Sequence, residues 1–120
     1  MEEILAITSI DQWERLLRDH RARGGRLLLL KHSTACPISA AALEEVRAFS
    51  REKPAGLQMA MVLVIEHRRV SDAVAERFHV QHQSPQVLLI EGDRVQWHTS
   101  HGNITRDQLW KVFSDKPGEK

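Results

Sequence analysis

The chain has 120 residues, room for one compact domain with a single core. Its formal net charge is +1, which excludes the broad basic field that favours nucleic acid. No apolar run reaches the roughly 18 residues a membrane span requires, and the acidic start "MEEILAITS" lacks the basic region and long apolar stretch of a secretion signal.

A lone cysteine cannot form an intramolecular disulfide, so a reducing cytoplasm is the expected location. The small basic clusters at 18–23 and 67–69 read as solvated surface. Residues 1–114 are expected to form one domain, with 115–120 a flexible tail by composition.

In chain order, "EILAI" reads as a short strand, placed at a sheet edge. Ser9 and Gln12 have capping-box spacing, and Ile10, Trp13, Leu16 and Leu17 follow at helical intervals. Gly24-Gly25 ends that helix. "RLLLLK" lacks polar alternation, the pattern of a central strand buried on both faces. From Pro37 to about Arg51 the pattern is helical, with Ala42, Val46 and Phe49 on one stripe. "LQMAMVLVI" reads as another buried strand. Ser71 is placed to cap a short helix carrying Val74 and Phe78.

"PQVLLI", Gly92-Asp93 and "RVQWH" form an expected antiparallel hairpin, with Val95 and Trp97 on one side. Thr105 and Gln108 make a second capping box, with Ile104 and Leu109 stapling the last helix. The fold class is therefore α/β: a central mixed sheet of four to five strands with helices on both faces. This element order is the thioredoxin-like arrangement.

The chemistry concentrates in "KHSTACPIS". Cys36 follows a buried strand, and Pro37 suits the first position of a helix. At a helix N-terminus, free backbone N–H groups and the helix dipole stabilise a thiolate. The alternative is a small buried apolar cysteine. Ser39 stands three residues on, where redox loops usually place a second cysteine. Its hydroxyl or N–H is positioned either to donate to the thiolate or to serve as an ordinary first-turn residue. A serine cannot resolve a mixed disulfide, so a second thiol must come from outside.

This segment resembles the active site of the YtxJ family, the monothiol bacilliredoxins, in which a T-C-P-I-S core follows a Lys-His-Ser lead. Ala35 stands where threonine is common. The resemblance implies a thiol-disulfide oxidoreductase with Cys36 as nucleophile and Ser39 in the resolving position. It implies no permanently bound cofactor, bacillithiol as co-substrate, and S-thiolated client proteins as partners. Bacillithiol joins cysteine, glucosamine and malate. Thioredoxin-like proteins also carry a cis-proline opposite the thiol, so Pro85 is expected to be cis and Ser84 to present backbone groups to the substrate.

Two sets of residues are candidates for holding the malate carboxylates. One is Lys31, His32, Ser33 and Thr34. The other is "SHGNITR", where Gly102 would allow close backbone approach, beside Asn103, Arg106 and the helix amides near Thr105. Ordinary turn and capping roles compete with that reading. His79 and His82 are spaced closely, but no third or fourth ligand accompanies them, so they read as exposed loop histidines. Two further readings stay open: a monothiol glutaredoxin using glutathione or an iron–sulfur cluster, and a redox sensor that turns nothing over. The first usually has glycine after the cysteine, where this chain has Pro37.

Overall fold

The computed structural model describes residues 4–114. The tail expected to be flexible lies outside them. Five strands are observed: β1 Ile4–Ala6, β2 Arg26–His32, β3 Leu57–Leu63, β4 Gln86–Glu91 and β5 Arg94–Ser100. Four α-helices join them: α1 Ile10–Arg23, α2 Pro37–Ser50, α3 Arg68–Phe78 and α4 Arg106–Ser114, with a 3₁₀ turn at His101–Asn103. The sheet order is β1-β3-β2-β4-β5. Strands β1 and β2 run parallel to β3, while β4 runs antiparallel to both β2 and β5.

Strand β2 lies at the centre, and its side chains alternate between two apolar layers. Leu27 and Leu29 meet Trp13, Leu16, Val70 and Val74 from α1 and α3. Leu28 and Leu30 meet Val46, Phe49, Leu109 and Phe113 from α2 and α4. All four leucines are buried, which explains the missing polar alternation in "RLLLLK".

The helix boundaries follow mostly from local chemistry. The Ser9 hydroxyl accepts from the Gln12 N–H at 3.1 Å, and Gly24 closes α1 at φ 73°. The Gln12 side chain, however, binds the Thr8 N–H and hydroxyl, one residue before the expected box partner. At α4, the Thr105 hydroxyl accepts from the Gln108 N–H at 3.1 Å, and Ile104 and Leu109 are both buried as the staple requires.

Two expectations are corrected. Ser71 does not cap α3: the helix begins at Arg68 after His67, and the Ser71 N–H already bonds the His67 carbonyl. Its buried hydroxyl faces inward, 3.4 Å from His82 Nδ1. Val95 and Trp97 do not share a face. In the register, Leu89 pairs with Trp97 and Ile90 with Val95, so Gln96 is an extra residue in a bulge. That residue sends Val95 to the α1/α3 layer and Trp97 to the α2/α4 layer.

Phe49 is the keystone of the α2/α4 layer, with ring centroids 5.2 Å from Trp110 and 5.4 Å from Phe113. It is fully buried. Phe49→Ala is expected to destabilise the protein by about 3–5 kcal/mol, the range for a deleted core ring. Urea unfolding at equilibrium checks this, and a loss under about 1 kcal/mol would mean the layer repacks around the gap.

Candidate active site

Three short-range constraints shape the loop between β2 and α2. The Ser39 hydroxyl oxygen accepts the Ser33 N–H at 3.1 Å, the Ser33 hydroxyl accepts the Ala35 N–H at 3.3 Å, and the Cys36 N–H reaches the Ser33 carbonyl at 3.4 Å. From outside, the Thr34 hydroxyl donates to Glu66 at 2.9 Å, and the Val64 N–H binds the His32 carbonyl. The Glu66 carboxyl is held below the usual carboxylate range, first by its own backbone N–H and then by Thr34. The loop is thus fastened to both α2 and the segment after β3.

Cys36 is the N-cap of α2, in an extended backbone conformation at φ −122° and ψ 121°, with Pro37 following at the helix start. Its carbonyl takes the first helical bond, from the Ala40 N–H. The thiol is half-buried and makes no capping bond. The first-turn amides of α2 therefore have no partner one turn earlier and are directed toward the thiol end of the helix. Ser39, fully buried, spends its hydroxyl oxygen on the Ser33 amide. That bond makes it a fastener of the loop, a role beyond the two considered from sequence.

The set 31–34 is split by the strand. Lys31 projects to the α3 side, fully buried, with Nζ 3.2 Å from His82 Nδ1. Burial lowers its pKa from 10.5 to about 8, with Asp72 pulling the other way. His32 turns to the opposite face, under α2, and burial pushes its pKa down, opposed by a hydrogen bond with the Ser39 backbone. Its Nδ1 is buried without a partner. Ser33 borders the space beside Cys36, and Thr34 is exposed and held by Glu66.

That space is a cavity of about 250 Å³ between Cys36, the segment after β3 and the start of α3. Arg68, Ser71, Asp72, His82 and Ser84 line it, together with Val64 and Ile65. Burial and then Lys31 hold His82 below the usual histidine range, which favours the neutral ring. Sequence reading missed Arg68, Asp72 and His82 as neighbours of the thiol, because α3 and the segment after it bring them there from more than 30 positions away. No local motif signals that approach.

The Ser84-Pro85 bond is cis, as expected, and Pro85 is buried. Ser84 shares the cavity with Cys36, and its hydroxyl is buried without a partner. The second candidate set does not line that cavity, but its turn adjoins the cis-proline: the His101 N–H donates to the Pro85 carbonyl at 3.0 Å. Gly102 and Asn103 are exposed on the 3₁₀ turn, and no atom lies within 4 Å of where a Gly102 side chain would start. Two of the helix-start amides are occupied: the Arg106 N–H donates to Glu45 at 2.7 Å and the Gln108 N–H to Thr105. The Arg106 side chain pairs with Glu52.

A family model described as monothiol bacilliredoxin BrxC matches residues 5–109. A solved thioredoxin-fold protein described as a candidate oxidoreductase is 29% identical, with TM-score 0.78 over 91% of this chain and 92% of its own. Fasciola hepatica thioredoxin is 14% identical, with TM-score 0.74 over 92% and 97% of the two chains. A Nicotiana alata thioredoxin is 17% identical, with TM-score 0.73 over 92% and 89%. The two thioredoxins are similar in fold alone.

Ser39→Ala leaves the buried Ser33 N–H without an acceptor, at an expected cost of about 1–3 kcal/mol. Hydrogen exchange at the Ser33 amide should accelerate; unchanged exchange would show that the bond does not hold the loop. Lys31 carries a stability signature of its own. The unfolded chain keeps the Lys31 proton to about pH 10.5 and the folded chain to about 8, so unfolding takes up a proton between those values. Stability therefore rises as pH increases through that window, and the full cost of the buried charge persists below pH 8. Lys31→Met should stabilise the protein by roughly 1–3 kcal/mol at pH 7. In urea unfolding that advantage should shrink toward pH 10, and an equal advantage at both pH values would refute a buried charge.

Proposed function

The chain belongs to the monothiol bacilliredoxin family, and from that premise we propose that Cys36 removes bacillithiol from S-bacillithiolated proteins. The observation that carries this reading is a single cysteine at a helix N-terminus, with a buried serine in the resolving position and a polar cavity beside it. Thiol-disulfide oxidoreductase activity follows from the family and the fold. The finer assignment concerns which thiol is exchanged.

The first step is an exchange at sulfur. The Cys36 thiolate attacks the bacillithiol sulfur of a client–S–S–bacillithiol disulfide. The Cys36–bacillithiol S–S bond forms, the original S–S bond breaks, and its electron pair leaves with the client thiolate. Free amides at the start of α2 stabilise the attacking anion. Ser84 offers its backbone to the cysteinyl part of the small thiol. A second thiolate then attacks the mixed disulfide and returns Cys36 to its reduced form. Ser39 carries no sulfur, so that second thiol is external, and bacillithiol is a co-substrate rather than a resident group. A reducing cytoplasm would supply the resetting thiol.

Client proteins have a surface to meet. Ile38, on the first turn of α2, and Ile65, on the cavity rim, are about half exposed. Two large apolar side chains flanking a reactive thiol suit contact with apolar side chains around a client's modified cysteine.

Cys36→Ala should reduce release of bacillithiol from a thiolated client to the uncatalysed rate, measured by appearance of the free client thiol. In wild type, exposure to oxidised bacillithiol should give a bacillithiol adduct on Cys36 by mass spectrometry, in preference to the glutathione adduct formed in a parallel incubation. Equal labelling by both thiols would remove the bacillithiol assignment. An adduct that forms once without turnover would make the chain a sensor.

A further inference from the structure

We propose that the cavity between Cys36 and the start of α3 binds a carboxylate of the small thiol, with Arg68 and the His82 Nε2–H as donors and Lys31 as the positioning residue behind His82. This rests on the reading of Cys36 as the nucleophile that takes up the small thiol, and adds where its charged end sits.

The geometry starts with Lys31. A charged ammonium has three donors and no acceptor. Lys31 is fully buried, and its one hydrogen-bond partner among the described residues is His82 Nδ1, at 3.2 Å. Because the ammonium donates, Nδ1 must accept, and the imidazole proton is placed on Nε2. The Ser71 hydroxyl, 3.4 Å from the same Nδ1, can also donate to it. His82 therefore presents an N–H on its outer side, where no described residue bonds it, and the residue is exposed along the cavity. A histidine oriented from behind by a buried cation is built to donate.

Charge selects the ligand. Arg68 and Lys31 contribute two positive charges, Asp72 one negative charge, and His82 is neutral, which leaves one positive charge in excess. Among the described residues neither Arg68 nor Lys31 forms a salt bridge, and Asp72 acts on Lys31 only from beyond that distance. A ligand carboxylate meets a guanidinium at the rim and an oriented N–H beside it, with the buried ammonium behind. Asp72 remains available to the hydroxyl or ammonium groups that accompany a carboxylate in such a thiol. Among the described residues lining the cavity, Ser33, Ser71 and Ser84 add hydroxyls and no further charge.

The test uses one client protein thiolated in three ways: with bacillithiol, with bacillithiol dimethyl ester and with glutathione. Rates of client-thiol release are measured for wild type, Arg68→Gln and His82→Gln, both exposed positions. Each variant should slow the bacillithiol and glutathione substrates about tenfold more than the ester, the scale of one charge-assisted hydrogen bond. Equal slowing of all three, or no slowing, overturns the subsite. Equal slowing would place the residues in client docking or in the fold. Nitrogen NMR of the His82 ring reads the positioning role: the proton on Nε2 in wild type, and a mixture of tautomers in Lys31→Met. One tautomer in both proteins would remove Lys31 from the proposal. If wild type releases glutathione but not bacillithiol, the bacillithiol assignment falls, and the same comparison of glutathione with glutathione dimethyl ester decides the subsite. If bacillithiol is released and the variants treat every substrate alike, the assignment stands and the subsite falls.

Discussion

Burial of β2 on both faces is the constraint from which the site follows. A strand alternates its side chains, so its last residues must continue into opposite layers whatever their chemistry. Leu27 through Leu30 satisfy both layers with apolar groups. Lys31 and His32 continue the alternation with polar ones, and each is carried into a buried position by the strand. Lys31 arrives behind His82, and His32 arrives beneath the start of α2. The charge and the imidazole are thus held on either side of the loop that carries Cys36. Desolvating an ammonium costs several kcal/mol unless partners compensate, so a lysine at this place is a burden on stability. Its presence makes structural sense through the group it faces, the His82 ring.

Much of this architecture was legible in the sequence, and the reasons are local. Apolar runs without alternation marked β2 and β3, and Ser9, Gly24 and Thr105 marked helix ends through bonds to residues within four positions. Cys36, Pro37 and Ser39 form a contiguous signal, as do Ser84 and Pro85. Misreadings arose where local chemistry was silent. His67 starts α3 without any side-chain capping bond, so Ser71 looked like the better cap. Gln96 bulges without glycine or proline to announce it, so period two placed Val95 and Trp97 on one face.

The polar wall of the cavity was illegible for a different reason. Arg68, Asp72 and His82 occupy surfaces that look like ordinary solvated helix and loop by composition. Their meaning depends on the docking of α3 on the sheet, which brings Ser71 and Lys31 to the same His82 nitrogen. Conversely, the loop around Gly102 looked attractive because glycine, asparagine and free helix amides commonly meet anions. In the folded chain Glu45 takes one of those amides, an interaction across 61 positions. Both cases show long-range packing deciding which polar groups remain available.

The single cysteine can be understood in the same physical terms. Removing a resolving thiol from a two-cysteine site would leave a gap, whereas Ser39 has a definite partner. Its oxygen accepts the Ser33 N–H in a buried position, and sulfur is a weaker acceptor with a longer bond. A cysteine there would loosen the amide that fastens the loop and would also offer an intramolecular route out of the mixed disulfide. Serine stabilises the loop and closes that route at once. In the proposed exchange, the loop bonds, the helix start and the open cavity serve one task, in which Cys36 holds a small thiol until another thiol arrives. Both the absence of a second sulfur and the presence of a good oxygen acceptor belong to a site organised around exchange with an external partner.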